Sequence, residues 1–458
     1  MKENTVKENK LGNMPINKLV LNMSIPIIIS MTIQGLYNFV DSYFVAQMSQ
    51  NAAEAITAMT LGLPLQMLII AVAVGSGVGL NAVISRNLGM KQTERANAVA
   101  GNGILLGLLL TLLFMGIGLL TIRPFFEFQT DNPIVIEQGI LYMQIITTCA
   151  GAKIFQIFLE RMLESTGRAT LSMMSLGFSA LANIIMDPIF IFVFDMGVQG
   201  AAIATILAQV LGALLGLYFN VHFNHELHFA RRYLKLEGHI IKEIYQIGLP
   251  AMIMQALQSL SVFGINTILY TISETAVTAY GIYFRIQQLI FMPVFGLNNA
   301  LIPIISYNYG AQNAQRIKKA IITALKFGAL MMGTGVLIFE FFPGNIVDLF
   351  NPSSELRELC IQCLRISATS YLFAEINFVL LAAFQALNEG KKALLLTLFR
   401  TFIILLPFTF LFSLFDNAAT IVWFAMPCSE SLTMIIAVLM FKRLYQKKCH
   451  FDTDLPLS

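Results

Sequence analysis

The chain contains apolar runs that are long enough to cross a lipid bilayer. Residues 98–122 include no charged side chain, and about 20 helical residues span a hydrocarbon core of roughly 30 Å. Of the 458 residues, 57% are hydrophobic and only 12% are charged. The runs also lack the period-two alternation expected of membrane β-strands. The sequence therefore predicts an all-α, polytopic membrane protein.

Hydropathy and boundary residues predict twelve membrane spans. They lie at roughly 17–47, 53–81, 96–122, 134–163, 170–194, 199–221, 241–271, 275–304, 319–342, 357–386, 393–414 and 418–442. Lysines and arginines concentrate in alternate loops and in both terminal segments, and the opposite loops hold little more than Arg123 and Arg357. Because Lys and Arg are enriched in cytoplasmic loops, we expect a multi-pass protein of the plasma membrane with both termini in the cytoplasm.

The longest polar break divides the spans into two sets of six. The predicted organisation is a cytoplasmic N-terminal segment (1–16), an N-lobe (17–221), a cytoplasmic linker (222–240), a C-lobe (241–442) and a cytoplasmic tail (443–458). An internal repeat at an offset of 221 supports this division. Its matched pairs are Ala55 and Ala276, Thr57 and Thr278, Ala58 and Ala279, Gln66 and Gln287, Gly75 and Gly296, Ser85 and Ser306, Asn87 and Asn308, and Gly89 and Gly310. Since six is an even number, we expect two six-helix bundles related by a pseudo-two-fold axis along the membrane normal.

Several short motifs resemble those of the multidrug and toxic compound extrusion (MATE) family. They are the stretch from Asn38 to Val45, the turn from Ser85 to Gly89, its repeat from Ser306 to Gly310, and the turn from Glu164 to Arg168. The resemblance covers essentially the whole chain. It implies a bacterial-type antiporter, not an enzyme, that exports cationic lipophilic compounds, antibiotics among them, through a cavity between the lobes. It further implies that entry of Na⁺ or H⁺ drives export, without a cofactor.

Acidic residues inside the predicted spans are candidates for the coupling site, because a charge in the bilayer is costly unless it is paired or hydrated. Asp41 lies about 24 residues into the first span and Asp187 about 17 into the fifth, so both fall in the outer half of the membrane. Asn183 shares a helical face with Asp187, and Thr205 adds an oxygen from the sixth span. Such a cluster suits Na⁺ through its oxygen atoms or H⁺ through its paired carboxylates.

In the MATE family, the N-lobe cation site uses an Asp on the first span and an Asn and an Asp on the fifth. The resemblance thus implies a site at Asp41, Asn183 and Asp187, with Thr205 as a further member; no other metal site is predicted. The alternative is that both aspartates are buried residues bonded to neighbouring groups. Many members also carry an Asn on the fourth span, where this chain has Glu160. We expect Glu160 to pair with Arg161 or Lys153 near the cytoplasmic end, and the alternative is a third acidic ligand.

The C-lobe differs from part of the family. Some members have a Glu eight residues after the proline of the seventh span, where this chain has Gln258 after Pro250. Neither Gln255 nor Gln258 can titrate, so the sequence favours coupling through the N-lobe. Glu375 is predicted to face the central cavity and attract cations, with an ion pair to Arg285 or Arg365 as the equal alternative.

Further residues are predicted to contact the cation or the substrate, or to allow bending. Besides Glu160 and Glu375, the possible contacts are Gln34, Tyr37, Gln255, Gln258, Tyr280 and Arg285. Pro26 is a candidate hinge because a proline leaves a helix carbonyl without its usual donor. A static kink at Pro26 is the alternative. The expected partners are small cationic substrates and the lipid bilayer, without nucleic acid, and the expected state is a monomer. The competing functions are a lipid-linked oligosaccharide flippase of the same superfamily and a channel.

Overall fold

The computed structural model describes residues 9–46, 52–350 and 352–449, and within them the side chains at 37–39, 41–43, 46, 52 and 53 lie outside the description. The described residues contain helices and no strand, which confirms the predicted all-α class. Ten described helices are long and apolar enough to cross a membrane, and the number reaches twelve if each of two bent helix pairs is one span. The chain is therefore a multi-pass membrane protein.

The long helices follow the predicted spans and extend past several of them. In the first half they are Ile16–Ala46, Ala52–Gly89, Thr93–Gln129, Pro133–Thr148, Ala150–Ser165, Ala169–Pro188 with the π-helical segment Ile189–Val193, and Gly197–His222. In the second half they are Gly238–Tyr270, Glu274–Gly310, Ala314–Phe341, Ser354–Ala368, Tyr371–Ala386, Gly390–Leu398, the π-helical segment Phe399–Leu405, Leu406–Ser413 and Ala425–Lys448. Short helices are Lys10–Asn13, Arg231–Tyr233, Pro343–Asp348, Ala418–Ile421 and Val422–Phe424.

Two predicted spans are broken, each near its middle. The helices Pro133–Thr148 and Ala150–Ser165 meet at a bend of 43°, and Ser354–Ala368 and Tyr371–Ala386 meet at 51°. The breaks fall at Cys149 and at Thr369 to Ser370, which are equivalent positions at the 221-residue offset. The hydropathy pattern predicted one continuous span at each place, 134–163 and 357–386, and neither break contains a proline.

The internal repeat extends to individual hydrogen bonds. The Ser85 hydroxyl donates to the carbonyl oxygen of Ser165 at 2.9 Å, and the equivalent Ser306 hydroxyl donates to that of Ala386 at 3.1 Å. In each half this bond ties the long second helix to the end of the broken fourth span. The two halves thus repeat one local structure as well as one sequence pattern.

The chain divides into two compact units. The first unit comprises Met1–Leu11 and Ile29–Met252, and the second comprises Gly12–Ile28 and Ile253–Ser458. The core of the second unit is rich in aromatic side chains, among them Tyr283, Phe339, Tyr371 and Trp423. A core cluster of the first unit includes Val45, Phe126, Tyr142 and Met143.

The segment predicted as a linker is folded onto the helix Thr93–Gln129 of the first unit. The backbone N–H of His228 donates to the side-chain oxygen of Asn97 at 2.8 Å, and that of Glu237 donates to Asn102 at 2.9 Å. The carbonyl of Tyr233 lies directly against Gly101. Residues 222–240 therefore have a defined place on the unit.

Candidate functional site

Asn183, Asp187 and Thr205 meet inside the first unit. Asn183 and Asp187 are one helical turn apart on Ala169–Pro188, so their side chains share a face. The Asn183 amide donates to Oδ1 of Asp187 at 3.0 Å and lies 3.4 Å from the hydroxyl of Thr205, on the helix Gly197–His222. Asp187 has 0% exposure. The three predicted partners thus form one buried polar cluster.

Hydrogen bonds between the same two helices fix their register. The Ser175 hydroxyl donates to the carbonyl of Gly212 at 2.7 Å, and the Ser179 hydroxyl donates to that of Ala208 at 2.8 Å. Small residues at this interface allow the close approach that such bonds need. The position of Thr205 relative to Asn183 therefore depends on backbone contacts as well as on its own side chain.

A small cavity adjoins the cluster. Its volume is about 10 Å³, which is about the space for one water molecule. Its lining residues are Lys153, Gln156, Leu176, Ser179, Ala180, Asn183, Thr205, Ala208 and Gln209. The side-chain oxygens of Gln156, Asn183 and Gln209 are buried and have no hydrogen-bond partner in the described part of the chain. The cavity is therefore lined by acceptors that a cation, a proton donor or a water molecule would satisfy.

Lys153 is a member of this cavity that the sequence analysis did not assign to the site. It lies on Ala150–Ser165 and is only 8% exposed. Lys153 lies 12 residues before the end of its helix, and Asn183 lies 14 residues after the start of the next helix. At 1.5 Å per residue, the two residues are about 18 and 21 Å from the turn that joins these helices. Counting depth from the shared turn would have found it.

The first helix contributes predicted residues whose geometry is only partly described. The side chains of Tyr37 and Asp41 lie outside the described residues, although the backbone at both positions is helical. Gln34 is half-buried on the same helix, and the helix continues through the buried Pro26. The membership of Asp41 in the site and the hinge at Pro26 stay predictions.

The acids near the C-terminal end of the broken fourth span are arranged differently from the expected pairing. Arg161 forms its ion pair with Glu164 at 2.8 Å, and Ser172 also donates to Glu164, at 3.2 Å. One carboxylate oxygen of Glu160 is buried and has no hydrogen-bond partner among the described residues. Arg161 is therefore engaged by the acid one turn beyond Glu160.

In the second unit, Glu375 is buried and isolated from the arginines considered for it. It is 1% exposed, and neither carboxylate oxygen has a hydrogen-bond partner within the described ranges. Its carboxylate lies against Gly328, where the missing side chain leaves room for it. Arg365 instead contacts Glu340 at 3.9 Å, and Arg285 is exposed.

The remaining candidates of the second unit are not gathered in one place. Gln255 and Gln258 are exposed. Tyr280 is buried in the aromatic core, with its ring centre 6.1 Å from that of Tyr283. Glu430, an acid of the last long helix to which the sequence analysis gave no role, accepts from the amide of Asn377 at 2.7 Å, and Arg400 lies 3.6 Å from its other carboxylate oxygen.

Comparison with known proteins identifies the family. The MatE family model matches residues 26–189 and 250–411. The chain is similar to the multidrug export protein MepA of Staphylococcus aureus (strain MSSA476), at 27% identity over 93% of both chains. It is also similar to MepA of Staphylococcus haemolyticus (strain JCSC1435), at 26% identity over 89% of both.

Two solved structures have the same fold over nearly the whole chain. One is an outward-facing multidrug resistance MATE family transporter of the MOP superfamily, with a TM-score of 0.89, 27% identity and coverage of 97% of this chain and 99% of that one. The other is a MOP superfamily transporter from Pyrococcus furiosus, with a TM-score of 0.90, 26% identity and coverage of 98% and 100%. These matches confirm the resemblance inferred from the sequence motifs. The chain belongs to the MatE family of membrane transporters.

Proposed function

We propose that the protein is a secondary multidrug exporter. It moves cationic, lipophilic compounds out of the cytoplasm, across the plasma membrane, in exchange for Na⁺ or H⁺ bound in the first unit. The printed names of its relatives as multidrug export proteins support the export of drugs. The observation that carries the coupling step is the fully buried Asp187 beside Asn183, Thr205 and the small polar cavity.

The chemistry of Asp187 explains why such a site would couple two fluxes. A buried carboxylate is unfavourable as an isolated anion, and binding of a cation or proton removes most of that penalty. The site is therefore more stable with a bound cation or proton than without one. If the outward-open and inward-open states bind the cation with different affinity, an ion gradient biases the exchange between them. Asp41 supplies the second carboxylate in this proposal.

The same proposal assigns the remaining features of the transporter. One chain, with both termini in the cytoplasm, is the transport unit, and no cofactor takes part besides the transported ion. Glu375 in the second unit attracts cationic substrates. It is an unpaired buried acid among the described side chains, next to aromatic residues of the core such as Tyr371. Aromatic and acidic groups together suit lipophilic cations.

Ethidium transport in proteoliposomes tests the proposal. The full-length protein is reconstituted, and a sodium gradient and a proton gradient are imposed separately. We expect ethidium to move against its concentration gradient under one of the two. Ethidium that only equilibrates, at the same rate with and without either gradient, would contradict antiport. A steady ion current without ethidium would favour a channel.

A further inference from the structure

Lys153 is a buried cationic residue that lines the small cavity beside the proposed coupling site. The side chain is 8% exposed and lines the same cavity of about 10 Å³ as Asn183 and Thr205. Those two residues also contact each other, and Asn183 contacts Asp187. Lys153 thus lines the cavity beside the residues of the proposed cation site.

Glu160 is the described acid that interacts electrostatically with Lys153, but it forms no ion pair with it within 4 Å. Among the described residues, none of the amide oxygens that line the cavity and lack a partner is hydrogen-bonded to Lys153. Glu164 is engaged by Arg161 at 2.8 Å, and Asp187 accepts from Asn183 at 3.0 Å. Glu160 lies on the same helix, seven positions further on, which is about 10 Å along the axis.

The acceptors around the cavity match an ammonium group. Gln156, Asn183 and Gln209 each have a buried amide oxygen without a hydrogen-bond partner in the described ranges. An ammonium has three N–H donors and no acceptor. A Na⁺ ion would use the same three oxygens, so an ammonium that reached them would compete with Na⁺ for one set of ligands in a space for about one water molecule.

We propose that the Lys153 ammonium takes the place of a coupling Na⁺, so that the first unit does not bind sodium. Two unit charges about 5 Å apart, at an effective dielectric constant of about 20, repel strongly enough to weaken binding on the order of 100-fold. This inference rests on the proposed antiport, whose driving gradient would then be that of protons. The equivalent position of the other half is Ala374, so only the first half has a lysine at this position.

Sodium binding to the purified full-length protein tests the inference. Melting temperature is measured at constant ionic strength and pH while NaCl replaces KCl. Lys153→Gln removes the charge but keeps a polar side chain, and Lys153→Arg keeps the charge. Lys235→Gln is the matched control, because Lys235 is an exposed lysine of the same unit.

The expected result is a sodium-specific, saturable rise in melting temperature for Lys153→Gln alone. The apparent sodium affinity of this variant should exceed that of the wild type, Lys153→Arg and Lys235→Gln by at least about 10-fold. Adding Asp187→Asn to Lys153→Gln should abolish the rise. If Lys153→Gln does not fold, Lys153→Met replaces it in the same comparison.

Two results would overturn the inference. One is a saturable, sodium-specific rise in the melting temperature of the wild type, a result that can be obtained without any variant. The other is a folded Lys153→Gln or Lys153→Met protein that responds to sodium no better than the wild type. Failure of the proposed function is a different result, namely no gradient-driven ethidium transport by the wild type. Sodium binding by the wild type would leave the exporter itself in place.

Discussion

Asp187→Asn is expected to lower gradient-driven ethidium export at least about 100-fold. The substitution keeps the size and planarity of the side chain, and its oxygen can still accept from Asn183, as Asp187 does at 3.0 Å. It removes the negative charge, which is the feature of the site that binds a cation or a proton. The unit should therefore fold normally and lose coupling. Initial export rates in proteoliposomes, together with melting temperature, measure the two effects separately.

Two controls make this result specific. Asp131→Asn removes an exposed carboxylate of the same unit and should leave export unchanged. Gln258→Ala alters an exposed side chain of the second unit and should also keep most of the coupling. Ethidium binding to Asp187→Asn should persist at least in part. Full export by Asp187→Asn would remove Asp187 from the mechanism, and complete loss in Gln258→Ala would move the coupling site to the second unit.

Gly101→Ala is expected to cause a large loss of stability for a single added methyl group. A Cβ atom at this position would overlap the backbone carbonyl of Tyr233, which packs on the helix Thr93–Gln129. Backbone atoms cannot rotate away as a side chain can, so the folded segment must shift. Overpacking of this kind costs about 1–3 kcal/mol. Thermal melting of the purified protein, with size-exclusion chromatography to detect aggregation, measures the loss.

Gly116→Ala is the matched control for Gly101→Ala. Gly116 lies on the same helix, and a Cβ atom there would meet nothing within 4 Å. The change should be neutral or slightly stabilising, because alanine favours a helix over glycine by about 1 kcal/mol. Equal melting temperatures for the two variants would show that residues 228–237 do not pack on this helix in the manner described.

The membrane helices were predictable because their signal is local. A charge-free run such as residues 98–122 has few alternatives to a membrane helix, and the repeat marked equivalent positions in both halves. The bends at Cys149 and Ser370 were not predictable. Neither position carries a proline, and each break depends on packing within its unit.

The candidate site was predictable where it follows helical spacing. Asn183 and Asp187 are four residues apart, so one helical face carries both. Lys153 was missed as a site residue because it was considered only as a partner for Glu160. One helical face carries Lys153, Gln156 and Glu160. Their distances along the helix from the turn shared with the next helix show that Lys153, and not Glu160, lies level with Asn183. The place of residues 222–240 depends on Asn97 and Asn102, whose role as acceptors is not visible in a linear pattern.

The most direct test of antiport is ion movement driven by substrate alone. Proteoliposomes with equal pH and equal sodium on both sides receive an ethidium gradient, and internal pH and sodium are followed with indicator dyes. The account predicts that one of the two ions moves opposite to ethidium in the wild type and in Asp131→Asn, and that neither moves in Asp187→Asn. Ethidium transport by the wild type without movement of either ion, or with the same ion movement in Asp187→Asn, would contradict it.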